Sequence, residues 1–174
     1  MIQRPVAVLG SGQTMTARIL RQLIGTPVVE LRPCQAAMEQ DGVPRYRAVV
    51  VENFDSPADG ALSPCAVARW ELSRRSDITV VGLDSEEGRR LATQAGFPVY
   101  AYSDGRPQAD LAAKNVRLRA GRLEFEALTH QNLLRVRVPL VYGPRLYDYL
   151  AAMAGALALG VPLDEAAARL AAAQ

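Results

Sequence analysis

The sequence predicts an α/β fold: a mostly parallel sheet with flanking helices, of the P-loop or Rossmann kind, that ends in a small antiparallel meander. Three observations lead there. The short apolar run Pro5 to Leu9 breaks at Gly10, and a helical pattern follows almost at once. Short β-branched runs then keep alternating with amphipathic stretches as far as Tyr102. Beyond Asp104-Gly105 the helical stretches stop and alternating runs follow one another directly.

Each element has its own signal. Ile19, Leu20, Leu23 and Ile24 share one face of a helix over Thr14 to Ile24, which Gly25 stops. Val28 to Leu31 reads as a second strand and Cys34 to Gln40 as a short helix. Tyr46 to Val51 is a third strand, and its continuous apolar run suits burial on both faces of a parallel sheet. Ser63-Pro64 starts a helix, a side-chain cap followed by a residue whose missing N–H is not needed in the first turn. Val67, Trp70 and Leu72 supply its apolar side up to Arg75. A strand over Ile78 to Leu83 follows, and Asp84 with Glu87 forms a capping-box pattern for a helix through Gln94 that Gly96 ends. Val99 to Tyr102 is the fifth strand.

Lys114 to Arg119 and Arg122 to Leu128 flank Ala120-Gly121, a two-residue hairpin connection, and Leu134 to Leu140 supplies the third antiparallel run. The end is helical, Leu146 to Leu159 closed by Gly160, then Asp164 to Ala173. The expected organisation is a single domain over 1–174: an α/β glycine-loop half at 1–103, an antiparallel hairpin and meander at 104–142, and C-terminal helices at 143–174.

At 174 residues and 49% hydrophobic composition the chain can bury one sizeable core. Its apolar runs are far shorter than a bilayer-spanning helix, and the first residues carry Arg4 and Pro5 instead of a long apolar signal, so a cytoplasmic protein without a membrane partner is expected. The net charge of +2, with Lys114 the only lysine, gives no reason to expect a nucleic-acid partner. Lys114 itself reads as a surface residue. Cys34, Cys65 and His130 make neither a disulfide framework nor a zinc site, and both thiols are expected as small hydrophobes without a role.

The loop Gly10-Ser11-Gly12-Gln13-Thr14 sits where phosphate loops sit, between the first strand and the first helix, where free amides and the helix dipole attract anions. Three readings of it stay open. A P-loop needs a lysine for the β and γ phosphates and a hydroxyl for Mg²⁺; Thr14 offers the hydroxyl, but neutral Gln13 stands in the lysine's place. A dinucleotide fingerprint would use Gly10 and Gly12 with Glu30 as the ribose acid, but Met15 fills its third glycine position. A tight turn that merely requires glycines is the third.

The downstream residues add a resemblance. Ala113-Lys-Asn-Val-Arg-Leu, the hairpin Gly121-Arg-Leu-Glu-Phe-Glu, Val136-Arg-Val-Pro-Leu140 and the Ala-rich helix from Leu146 to Gly160-Val-Pro-Leu-Asp-Glu resemble, over about sixty residues, the closing half of the Mur ligase central domain. Carried upstream, Gly10 to Thr16 resembles that family's "GTNGKTTT" loop shortened by one residue. Ala48 to Glu52 resembles the strand ending in its metal-associated glutamate, and Asp77 to Asp84 the strand before its "N.DD" turn. The resemblance implies a shortened central domain of an ATP-dependent acid to amino-acid ligase, with ATP and Mg²⁺ as cofactors. A complete ligase of this kind has three domains, more than this chain could build.

The departures from the family pattern matter as much. Gln13 replaces the loop lysine, no counterpart of the "N...DH" segment exists, and the family's "G.HN..N" turn becomes Tyr142, Pro144, Arg145 and Asp148. Glu52 and Asp55, with Asp59, form either a metal or ligand cluster or an ordinary polar loop. Arg145 and Asp148 form a candidate ligand turn beside Tyr142, Tyr147 and Tyr149, which otherwise serve packing. The apolar face of the last helix, Leu163, Ala167 and Leu170, caps the sheet or docks a partner.

Phosphoryl transfer is stabilised mainly by fixed positive charge and Mg²⁺, and the loop offers no such charge. The sequence therefore leans toward a degenerate, non-catalytic homologue that binds a nucleotide, a cell-wall-type small molecule or a protein partner, a second copy included. Two rivals are an active ligase component completed by a partner chain and an NAD(P)-type dinucleotide-binding domain.

Overall fold

A computed structural model describes residues 4–10, 13–31, 45–52, 64–139 and 145–172. Eight strands, β1 (Val6–Leu9), β2 (Val28–Leu31), β3 (Tyr46–Val51), β4 (Ser76–Gly82), β5 (Val99–Asp104), β6 (Leu111–Arg119), β7 (Arg122–Thr129) and β8 (Leu133–Pro139), form one sheet in the order β2-β1-β3-β4-β5-β6-β7-β8. The pairings from β2 to β6 are parallel; β6 with β7 and β7 with β8 are antiparallel.

The helices are α1 (Gln13–Ile24), α2 (Pro64–Arg74), α3 (Glu86–Gln94), α4 (Leu146–Ala158) and α5 (Leu163–Ala172). Alternation along β1 shows how they are distributed. Val6 and Val8 pack with Leu20 of α1, Leu150 of α4 and Leu170 of α5, whereas Ala7 and Leu9 pack with Leu72 of α2 and Leu91 of α3. Both faces of the parallel strands are thus covered, as crossover helices require. Helix α4 lies flat enough for Gly155 to matter: a Cβ there would meet Val50 Cγ2 at 3.0 Å and Leu20 Cδ1 at 3.2 Å.

Three sequence expectations need correction. The cap of α3 is Ser85, whose hydroxyl accepts from the Gly88 amide at 3.0 Å; Asp84, expected as the cap, has another task described below. Strand β6 starts at Leu111, not Lys114, because its first three residues pair in parallel with Tyr102, Ser103 and Asp104 before β7 takes over. The meander therefore continues the parallel sheet instead of hanging from it. Strand β4 starts at Ser76, two residues earlier than expected, where the Ser76 hydroxyl donates to Ser73 O and lies 3.0 Å from Thr79 Oγ1.

The hairpin turn agrees with its sequence signal. Ala120 and Gly121 have φ of 47° and 72°, the pair of positive angles a type I′ connection demands. Lys114 is exposed, as expected. The expected helix Cys34 to Gln40, the thiol of Cys65, Asp59 and Tyr142 lie outside the described residues. No helix among the described residues is long and apolar enough to cross a membrane.

Candidate functional site

The chain goes from β1 outward to β2 and returns to β3 on the other side of β1, so the direction of winding reverses between β1 and β3. Crevices outside the carboxyl ends of strands at such a reversal are where open α/β sheets hold ligands. Gly10 and Glu52 stand at this place. The Glu52 amide donates to Leu9 O at 2.8 Å, which sets the end of β3 beside the turn out of β1. Gly10 has φ 146°, in the range that favours glycine, and α1 begins at Gln13. The first-turn amides and the positive end of the α1 dipole therefore lie at the end of β1.

Glu52 is buried, and its carboxylate accepts a hydrogen bond from the hydroxyl of Thr16, itself inaccessible on the inner face of α1. A charge-assisted bond of this kind is worth about 1.5–3 kcal/mol. Tyr102 holds the same residue from the other side: its hydroxyl donates to Glu52 O at 2.9 Å, with Val51 O at 3.3 Å. The ring crosses from β5 to the end of β3 over Gly82 of β4, where a Cβ would lie 3.2 Å from it. Burial pushes the Tyr102 hydroxyl well above its ordinary range, and the charges of Glu52, Asp84, Tyr147 and Asp148 push the same way. It stays a neutral donor.

The ends of β4 and β5 carry a second polar knot. Asp84 accepts from Ser103 Oγ at 2.6 Å and from the Asp104 amide at 2.9 Å, with Arg106 Nε at 3.7 Å. Burial and then the nearby Asp84 raise the Asp104 carboxyl. Tyr147, in the first turn of α4, is pushed up to about 12 by burial, by the charges of Asp84 and Asp104 and by a hydrogen bond to Asp84.

At the start of α4 the Arg145 amide donates to Asp148 Oδ2 at 2.6 Å, so Asp148 caps its own helix. Its other oxygen, Oδ1, has no hydrogen-bond partner among the described residues. The Arg145 guanidinium is exposed, 4.0 Å from that carboxylate.

The structure thus brings Gly10, Gln13 and Glu52 to one edge of the sheet and sets Arg145 and Asp148 at the entry to α4, which Tyr147 ties to Asp84 at the same edge. Gln13 and Thr14 are described by their helical backbone alone; Ser11, Gly12 and Asp55 lie outside the described residues. Glu30 receives Arg21 Nη2 at 2.9 Å, an ion pair between α1 and β2. Sequence reasoning missed Thr16, Tyr102, Ser103 and Asp104 as site residues. Their one available signal was position, at the carboxyl ends of strands or one turn into the first helix.

The resemblance implies Mg²⁺ and ATP at this edge, and the described residues there carry three features that bear on it. Gln13 stands at the start of α1 where the resembling loop has lysine, the Glu52 carboxylate is buried against Thr16, and no group of three metal-type side chains converges among the described residues. What the described residues of this edge offer is the start of α1 beside fixed acidic and hydroxyl groups.

These features define a doubly wound α/β domain, and the fold is that of a domain of Mur ligases. A UDP-N-acetylmuramoyl-L-alanyl-D-glutamate--2,6-diaminopimelate ligase from Streptomyces avermitilis is 33% identical over 109 residues, which is 62% of this chain and 22% of the relative. A solved structure of a ligase of that name superposes over 97% of this chain and 46% of its own, with TM-score 0.82 and 16% identity. A UDP-N-acetylmuramoylalanyl-D-glutamyl-2,6-diaminopimelate--D-alanyl-D-alanyl ligase from Acinetobacter baumannii gives TM-score 0.77 at 18% identity, covering 97% of this chain and 45% of its own. The chain spans about a fifth of the curated relative and under half of these ligase structures. No protein-family model matches it. The chain thus has the fold of a Mur ligase domain and resembles one such ligase in sequence over 109 residues.

Proposed function

We propose that this chain is a non-catalytic Mur-ligase-like protein that binds a nucleotide or a cell-wall-type small molecule at the carboxyl edge of its parallel strands without transferring a phosphoryl group. The observation that carries this reading is Gln13 at the first turn of α1, where the resembling loop has lysine. A migrating phosphoryl group needs fixed positive charge at that place, and an amide supplies a dipole only. The Thr16 hydroxyl on Glu52 gives the same picture, a carboxylate that pins α1 to β3.

The dinucleotide reading has less support, because Glu30 is paired with Arg21 instead of standing open for a ribose. A ligase completed by a partner chain would have to receive both its cation and its remaining metal ligands from that partner.

The test is calorimetric titration of the purified chain with ATP, with and without Mg²⁺, beside a phosphate-release assay, on the native protein and on Gln13→Lys. Weak or no binding of ATP by the native protein, no release of phosphate, and affinity gained by Gln13→Lys are expected. Steady ATP turnover by the native chain alone would end the proposal.

A further inference from the structure

The opposite edge of the sheet holds a cleft of about 350 Å³ between the start of β5, the β7–β8 turn and the junction of α4 with α5. That volume lies in the range of small-molecule sites. Its chemistry is unlike the rest of the chain. The protein carries 20 cationic side chains, yet among the described residues neither lysine nor arginine lines this cleft. Two carboxylates, Asp110 and Asp164, line it together with the imidazole of His130; Leu157 and Pro162 provide an apolar wall.

Asp110 is held in place for such a role. Its Oδ2 accepts the Ala101 amide at 2.6 Å, a bond that extends the β5–β6 pairing and fixes the carboxylate. Its Oδ1 lies 3.4 Å from His130 Nε2, and a third of the side chain remains accessible. Thr129 and Asn132 close the turn beneath His130 by bonding each other, Asn132 N to Thr129 Oγ1 at 3.0 Å and Thr129 N to Asn132 O at 2.8 Å. Asp164 faces from the other wall, in the first turn of α5. An anion entering here would meet two carboxylates and no lining cation. A compact cation with a hydrocarbon stem would meet charge of the opposite sign and an apolar surface for its stem.

We propose that this cleft binds a small protonated amine, its ammonium group between Asp110 and Asp164 and its stem along Leu157 and Pro162. The proposal is independent of whatever occupies the carboxyl edge.

The sole histidine of the chain makes the test direct, since its imidazole protons give an unmistakable pair of NMR signals. The native protein is titrated with n-butylamine and, separately, with butyrate of matching size and opposite charge. Saturable movement of the His130 signals by the amine in the millimolar range or tighter, and none by butyrate, is expected. Asp164→Asn, at an exposed position, and Asp110→Asn, which keeps an oxygen for the Ala101 amide, should each weaken the amine about tenfold, while their unfolding curves show that the fold is retained. Equal response to butyrate, no saturable response to the amine, or affinity unchanged in both variants would overturn the assignment.

Discussion

The parallel strands and the antiparallel meander belong to one sheet but are buried by different rules. Ala48, Val49, Val50 and Val51 of β3 are all inaccessible, although successive side chains point to opposite faces, because α1 and α4 cover one face and α2 and α3 the other. Along β7 only one set disappears: Leu123, Phe125 and Ala127 are buried and Glu124 and Glu126 are half-exposed. Among the described residues no helix covers the outer face of the meander, which carries cross-strand charge rows instead, Lys114–Glu126–Arg135 and Arg117–Glu124–Arg137 by register. Only two of those contacts are close, Arg137 to Glu124 at 3.3 Å and Arg135 to Glu126 at 3.7 Å. Such exposed pairs add little stability. A continuous apolar run thus marks a strand between two layers, and an alternating run a strand with one.

Adjacent substitutions test this difference most strongly in the meander. Phe125→Ala should cost about 3–5 kcal/mol in denaturant unfolding, by loss of burial and the cavity left behind. Its neighbour Glu124→Ala should cost less than about 1 kcal/mol. Near-equal costs would mean that the outer face is covered after all. In β3 the expectation reverses: Val49→Ala and Val50→Ala, neighbours facing opposite layers, should both cost about 2 kcal/mol. A small effect at Val49 alone would show that α2 and α3 pack loosely.

A smaller change of opposite sign is expected at the hairpin. Ala120 holds φ of 47° with a Cβ that disfavours it, so Ala120→Asn should stabilise by about 0.5–1 kcal/mol, visible as a raised unfolding midpoint.

The last prediction concerns alkaline pH, at the junction of the two regions. Burial, then the charge of Asp110, pushes the Tyr100 hydroxyl of β5 up to about 12, and Tyr147 rises as far. A folded-state pKa above the unfolded one means that folding favours the neutral phenol. The stability it confers is complete below about pH 10 and is lost as pH rises from there through about 12. Absorbance titration should show these phenols ionising later in the native protein than in denaturant, and the unfolding midpoint should drop across that window. A midpoint that stays level would refute the burial of both rings.

Much of the fold was legible along the chain because periodicity and punctuation are local. Gly25, Gly96 and Gly160 follow α1, α3 and α4 with positive φ, where their sequence positions put the helix ends. The cap of α3 was misplaced by one residue because Asp84 and Ser85 are both good caps. What decided between them was Ser103 and the Asp104 amide, which lie across the sheet and hold Asp84 elsewhere. Glu52 was likewise legible as the end of a strand; the Thr16 bond that ties it to α1 was not, since 36 positions separate its partners.

By itself the sequence determined the order and kind of the described elements, since these depend on residue type and near neighbours. Only the tertiary structure decided that β6 joins the parallel sheet, that Tyr102 crosses Gly82 to hold the end of β3, and that Asp110, His130 and Asp164 line one cleft. Those facts depend on distances between segments remote along the chain, which strand pairing and helix packing fix and local patterns do not encode.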